Sequence, residues 1–426
     1  MVAVIVSVFI IGYLAIAVEQ LIGINKAATA LITGVLCWTV YIAYADDPQP
    51  VIASLGEHLG ELSGILFFLL GAMTIVELVD ANHGFDIITR NITTTNKRKL
   101  LWIISLLAFF LGAVLDNLAT TIVMVTLVRK LVNDRLEKLL FAGMIVIASN
   151  AGGAWSPIGD VTTTMLWIGG QITASNIVLM VFLPSLACLL LPLIILIFRL
   201  KGKLQRPEPG LAFAGRVSEV QQYIILISGI VILLLIPVFK TLTGLPPYMG
   251  MLLGLGILWI ITELIHGKKD DTDRNLLSVA HALRKIDSPS ILFFLGILLA
   301  VASLQATGVL ESVAGWMDAK LGSVNAIVMA LGLLSSVVDN VPLVAAAQGM
   351  YSLQDFPTDH FFWEFLAYAT GTGGSALIIG SAAGVAAMGM EQISFGWYLR
   401  NISLPALVGF FAGAGVYILQ HTLFSS

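Results

Sequence analysis

Apolar residues run along this chain in blocks of about 20, the length that carries an α-helix across the hydrocarbon core of a bilayer. Blocks of this kind at 1–18, 24–45, 60–80, 176–198, 222–239, 246–266, 288–307 and 397–420 each predict a membrane span. Two more, 139–170 and 361–390, are crowded with Gly, Ser, Thr and Asn and predict interrupted helices. A third kind, at 100–128 and 324–349, carries an Asp-Asn pair in mid-block: Asp116-Asn117 and Asp339-Asn340. The stretch 100–128 is too short for two spans, which need about 40 residues and a turn. A single span would put its basic flanks (Arg90, Lys97, Arg98 and Lys99; Arg129, Lys130, Arg135 and Lys138) on opposite faces. That runs against the positive-inside tendency, so the stretch predicts a re-entrant hairpin entering from the cytoplasm, with Asp116 and Asn117 at its tip. The flanks of 324–349 are acidic instead (Glu311, Asp318, Asp355, Asp359, with Lys320) and predict a hairpin entering from outside. Arg199, Lys201, Lys203, Arg206, Lys268, Lys269 and Arg274 fall on the inner side of the same count, which places both termini outside.

The two halves echo each other. Ile65-Leu66-Phe67-Phe68-Leu69 returns as Ile291-Leu292-Phe293-Phe294-Leu295, and Ala81-Asn82-His83-Gly84 has a shortened echo in Ala306-Thr307-Gly308. The Asp-Asn pairs follow in the same order, and then Gly152, Gly153 and Gly159 return as Gly373, Gly374 and Gly380. The organisation predicted is an all-α polytopic membrane protein with an inverted repeat, each half holding five transmembrane helices plus one re-entrant hairpin, with interrupted helices meeting at the midplane. Residues 1–206 form the first repeat, 207–221 a cytoplasmic linker and 222–426 the second.

Composition agrees with that class and excludes a soluble domain. Of 426 residues, 58% are hydrophobic and 11% charged, against about 25% charged in soluble domains. Nothing in the charge pattern suits nucleic acid. Cys37 and Cys188 lie in apolar runs and read as inert thiols; no Cys/His spacing suits a metal and no cofactor is implied. Residues 1–18 lack a basic n-region and a small-residue cleavage pattern, so they read as a retained span and not as a signal peptide.

Charge inside the blocks is the chemistry. A carboxylate at bilayer depth costs at least about 2.5–3.5 kcal/mol, so Asp116 and Asp339 need a reason. One is structural: Asp and Asn cap helices, and Pro342 suits a first helical turn. A neutral residue would cap as well, which favours a cation-binding role for both acids and, less strongly, for Asn117 and Asn340. The segment from Ser149 to Thr163 is too rich in Gly and polar residues to stay helical. Unwound carbonyls there, with Ser149, Asn150, Asp160, Thr162 and Thr163, offer the all-oxygen shell hard cations prefer; Asp160 also fits a solvated loop. In the second half, Thr372 and Ser375 are the neutral counterparts. Na⁺ is expected at Asp116, Asn150 and Asp339. Glu77 and Asp80 share a helical face near the cytoplasmic end of the third span, suiting a proton relay, an entry funnel or a wet helix end. His83 is a pH-sensing candidate or a solvated histidine.

These stretches resemble the NhaD-type sodium/proton antiporters of the ion transporter superfamily: Val76 to Phe85, Leu115 to Thr121, Ser149 to Thr163, and Val338 to Pro342. The resemblance implies a homodimer in the cell membrane with a scaffold and a transport domain that moves elevator-fashion. It also implies roles for Asp116, Asn117, Asn150, Asp160, Thr162, Thr163 and Asp339 in exchanging Na⁺ or Li⁺ for H⁺, in sodium and pH homeostasis. Sister families carry dicarboxylates, citrate or arsenite. No Lys or Arg lies inside the motif stretches to neutralise the acids, which favours a cation. The alternatives are a sodium-coupled symporter of a di- or tricarboxylate and, in another class, an intramembrane aspartyl protease using Asp116 and Asp339.

Overall fold

Helices make up all the regular structure of the described residues in the computed structural model, namely 1–17, 23–200, 202, 217–267 and 276–424. Lys201, Lys203, Arg206, Lys268, Lys269, Arg274 and residues 207–216 of the expected linker lie outside them. The first half contains α1 (Val2–Ala17), α2 (Lys26–Ala43), α3 (Pro48–Ala81), α4 (Asp86–Asn91), α5 (Lys97–Leu115), α6 (Asn117–Leu131), α7 (Arg135–Ala154), α8 (Val161–Ile168) and α9 (Ala174–Ile197). The second contains α10 (Glu219–Thr243), α11 (Pro247–His266), α12 (Val279–Lys285), α13 (Ser288–Ala306), α14 (Val309–Leu321), α15 (Val324–Leu334), α16 (Asn340–Met350), α17 (Phe361–Gly373), α18 (Ala382–Glu391), α19 (Phe395–Tyr398) and α20 (Leu404–Phe424).

Nine of the described helices are long and apolar enough to cross a membrane, and α14 with α15, bent by 116°, would make a tenth. Two departures from the sequence expectation have local causes. Helix α3 begins at Pro48, well before residue 60, because Asp47 caps it through the Gln49 N–H and Pro48 sits where a missing N–H costs nothing. At 34 residues it is about 51 Å long and overshoots the hydrocarbon core. The block read as 100–128 extends further at both ends, helical over Lys97–Leu115 and Asn117–Leu131, because basic residues at both ends keep their stems in the helix and their heads in water. Helix α5 is therefore long enough to span by itself. Lys97 nonetheless pairs with Glu137 in the first turn of α7, so α5 starts beside the place where the chain leaves α6. Likewise Tyr351, after α16, bonds Asp318 before α15 at 3.1 Å. Ahead of the second expected hairpin, Val309–Leu321 forms the helix α14.

Helices α7 and α17 are buried on nearly every face, which is why their sequences carry small residues in place of a polar stripe. The glycines that let backbones meet recur in both halves. A methyl at Gly152 would lie 2.1 Å from the Phe109 carbonyl oxygen, and one at Gly373 2.0 Å from that of Gly332. One at Gly153 would meet the Gly159 oxygen at 2.4 Å, and one at Gly374 the Gly380 oxygen at 2.6 Å. Outside this centre, α2 and α13 are in backbone contact through Gly34 and Gly296. The free thiols Cys37 and Cys188 are buried.

Candidate functional site

Four helices begin at the centre of the protein, each behind a polar cap. Asp116, at φ +95°, accepts the Ala119 N–H at 2.7 Å to start α6. Asp160 accepts the Thr162 N–H at 3.0 Å to start α8, and Asp339 the Val341 N–H at 3.3 Å to start α16. Ser381 accepts the Gly384 N–H at 3.1 Å to start α18. Positive helix ends thus converge where three carboxylates lie. Helices α5, α7, α15 and α17 end just before these four starts, and carbonyls of their last turns accept from the turns that follow: Gly153 from the Ser156 N–H, Leu334 from Val338 and Thr372 from Ser375.

Asp160 is the hub. It is 2% exposed, which removes the headgroup-loop reading of this acid. Its Oδ2 accepts from Asn117 Nδ2 at 2.7 Å and from Asn340 Nδ2 at 3.3 Å. Its Oδ1 accepts from the Thr162 hydroxyl at 2.9 Å and again from Asn340 at 3.3 Å. Both Asp-Asn breaks therefore reach one carboxylate through their amides. Asn150 extends the network: its Oδ1 accepts from Asn117 at 3.1 Å, and its Nδ2 donates to Ser375 and Ser381, both at 2.9 Å. Every donor facing Asp160 is neutral, so the buried charge is dispersed without being cancelled.

The remaining expected residues divide. Thr163 donates to the carbonyl of Asp160, the cap of its own helix, and Thr372 to the Tyr368 carbonyl within its helix. Ser149 shares a hydrogen bond of 2.8 Å with Thr121. Among the described residues neither Asp116 nor Asp339 hydrogen-bonds Asp160; the Oδ1 of each accepts its cap N–H. A crevice of about 140 Å³ brings Asp116 together with Glu77, Asp80 and Lys285, whose Nζ lies 3.7 Å from Glu77. His83, at φ +58°, caps the same helix end, its N–H donating to the Asp80 carbonyl at 2.8 Å, and its half-exposed ring lies 3.2 Å from Asp86.

Two residues escaped the sequence reading. Lys26, at the start of α2 and outside the motif stretches, places its ammonium 3.7 Å from Asp339 Oδ2, so one of the acids does face a lysine. Its signal was hidden because a lysine at the mouth of a span looks like an ordinary flank. Glu364 is buried in α17 and bonds Asn176 and, at 2.8 Å, the Tyr417 hydroxyl. A lone acid in an apolar block was a readable sign of it. Among the described residues no three His, Cys, Asp or Glu side chains group to hold a metal ion. The donors are single carboxylates separated by amides and hydroxyls, a set suited to a weakly held monovalent cation.

Comparison with known proteins adds independent findings. A family profile described as a citrate transporter matches residues 2–363. The chain is 48% identical to sodium/proton antiporter 1 of Arabidopsis thaliana over 97% of this chain and 72% of that protein. It is 45% identical to sodium/proton antiporter 2 of the same plant, over 97% and 98%. With the Na(+)/H(+) antiporter NhaD of Vibrio cholerae serotype O1 it shares 31% identity over 90% of this chain and 84% of that one.

Proposed function

Because the chain belongs to the NhaD-type sodium/proton antiporters of the ion transporter superfamily, we propose that it exchanges Na⁺ or Li⁺ for H⁺ across the cell membrane by alternating access. The carrying observation is the buried Asp160 carboxylate, held by amides from both breaks and, among the described residues, by no Lys or Arg. Burial without a counter-ion favours protonation, while a bound cation favours the ionised form, so H⁺ and Na⁺ compete for the same oxygens. If the protonated or loaded site crosses and the empty charged one does not, competition alone enforces exchange.

Asp116, Asn117, Asn150 and Asp339, with the backbone oxygens at the helix breaks, supply the rest of the ion's shell. Thr162 orients Asp160, and Ser149, Thr163, Thr372 and Ser375 brace the helix ends. Glu77 and Asp80 form the entry to Asp116 from the side of the basic loops. The ties Lys97–Glu137 and Tyr351–Asp318 support two re-entrant hairpins, and the paired glycine contacts support an inverted repeat. In this reading the hairpins and broken helices move as a transport domain against α1–α3 and α10–α13, in a homodimer, with both termini outside.

A second reading, sodium-coupled uptake of a di- or tricarboxylate, is favoured by the citrate-transporter description of the matching profile and by four converging helix N-termini. Against it, no Lys or Arg hydrogen-bonds Asp160, Asn150 or either Asn of the breaks among the described residues. The protease alternative falls, since the family is one of transporters. The deciding experiment uses everted vesicles with an imposed pH gradient. Added Na⁺ should collapse the gradient with the wild-type protein, citrate or succinate should not be needed, and Asp160→Asn should abolish the response while the protein still accumulates. Normal collapse with Asp160→Asn, or Na⁺ flux that requires the carboxylate, would refute the proposal.

A further inference from the structure

The two Asp-Asn breaks are alike in sequence, in capping and in the reach of their Asn to Asp160, yet they differ in charge environment. Asp116 has no ion pair among the described residues, and the lysine in its crevice is 3.7 Å from Glu77. Asp339 faces Lys26 at 3.7 Å, with the two side chains 22% and 17% exposed. That is a loose pair in partial contact with water, the kind a small mobile cation can replace.

The lysine is set on a rigid support. It opens α2, which lies against α13 through the close approach of Gly34 and Gly296, and its ammonium stands 4.3 Å over the centre of the Phe293 ring. It also has somewhere to go. A crevice of about 260 Å³ is lined by Lys26, Asp287 and Ser290 together with Leu118 of α6 and Ala382 of α18. The ammonium thus faces Asp339 beside a crevice whose lining also includes Leu118, two residues after Asp116, and a second acid, Asp287.

We propose that Lys26 is a tethered counter-cation for Asp339, competing with the transported ion for that carboxylate and holding the second break against α2 until the ion displaces it. The proposal rests on the cation-exchange reading above. It makes the two halves unequal: the ion meets Asp116 open and Asp339 occupied. Loading the second acid requires the ammonium to leave, towards Asp287 and water. Lys26 is a positioning residue in this scheme, acting through Asp339.

The test is the half-saturating Na⁺ concentration for proton movement in everted vesicles at one pH, for wild type, Lys26→Gln and Lys26→Arg. Removing the competitor should lower that concentration about fivefold or more, within the usual range of site coupling. Lys26→Arg, which keeps the charge, should stay near the wild-type value. Should Lys26→Gln fail to accumulate, Lys26→Met, which keeps the stem over Phe293, gives the same reading. A merely structural role would lower the maximal rate and would not tighten Na⁺ dependence. An unchanged or raised half-saturating concentration in the neutral variant overturns the proposal. Absence of Na⁺-driven proton movement in wild type would sink the exchange reading instead, before any variant is compared.

Discussion

Asn117 and Asn340 do the same chemical job at unequal distances. Asn117 donates to Asp160 at 2.7 Å, and Asn340 splits its Nδ2 between both oxygens at 3.3 Å each. A hydrogen bond to a charged group contributes about 1.5–3 kcal/mol, about tenfold to a hundredfold in an equilibrium constant. Asn117→Ala should therefore disturb the hub more than Asn340→Ala. The expected result is a larger shift of half-saturating Na⁺ for Asn117→Ala, measured in vesicles at a pH where wild type is active. Equal or reversed effects would show that these contacts do not set the site's affinity. At this scale the sequence was informative about residue type and poor about rank. It singled out Asp160 but treated it as one of several acids. Lys26 stayed invisible, because its meeting with Asp339 joins chain segments more than 300 residues apart and leaves no local pattern.

Among the elements, the breaks depend on backbone-to-backbone contact, and glycine is what permits it. A Cβ at Gly152 or Gly373 would press on a carbonyl oxygen at 2.1 or 2.0 Å, and a carbonyl cannot swing aside as a side-chain tip can. Overpacking of this kind costs about 1–3 kcal/mol or more. Gly152→Ala and Gly373→Ala should each lower the thermal midpoint of the purified protein. Gly256→Ala, in α11 with open space around the position, should hold or raise it, since alanine is the better helix former. A Gly152→Ala protein as stable as wild type would mean the helices are less closely packed than described. The pairing of these glycines was legible as a repeat of the sequence motif, and so was the position of each helix break. Element ends were less so: capping by Asp47 and by charged flanks extended α3, α5 and α6 beyond their apolar blocks, which hydrophobic pattern cannot register.

For the molecule as a whole, the all-helical membrane class followed from apolar block length, because the bilayer imposes one thickness on every crossing, whereas the nine described helices long enough to cross include Lys97–Leu115, read as part of a hairpin, and not α1. What composition could not supply is where the polar groups meet. The structure gathers them around one carboxylate, with a crevice to Asp116 on the side of the basic loops and a separate cavity of about 860 Å³ lined by Trp155, Pro157, Trp167 and Lys240. Exchange then becomes a statement about linkage: an acid that gives up H⁺ as Na⁺ arrives must show the trade at equilibrium, without any gradient. Where the site is mainly protonated, each unit fall in pH should raise the apparent Na⁺ dissociation constant about tenfold per proton displaced. The most direct measurement is calorimetric titration of the purified protein with Na⁺ in buffers of different ionisation enthalpy, which counts protons released per ion bound. The competition account expects about one proton or more released at pH values where the site is protonated, and none from Asp160→Asn. Na⁺ binding with no proton release at any pH, or release that persists in Asp160→Asn, would contradict it.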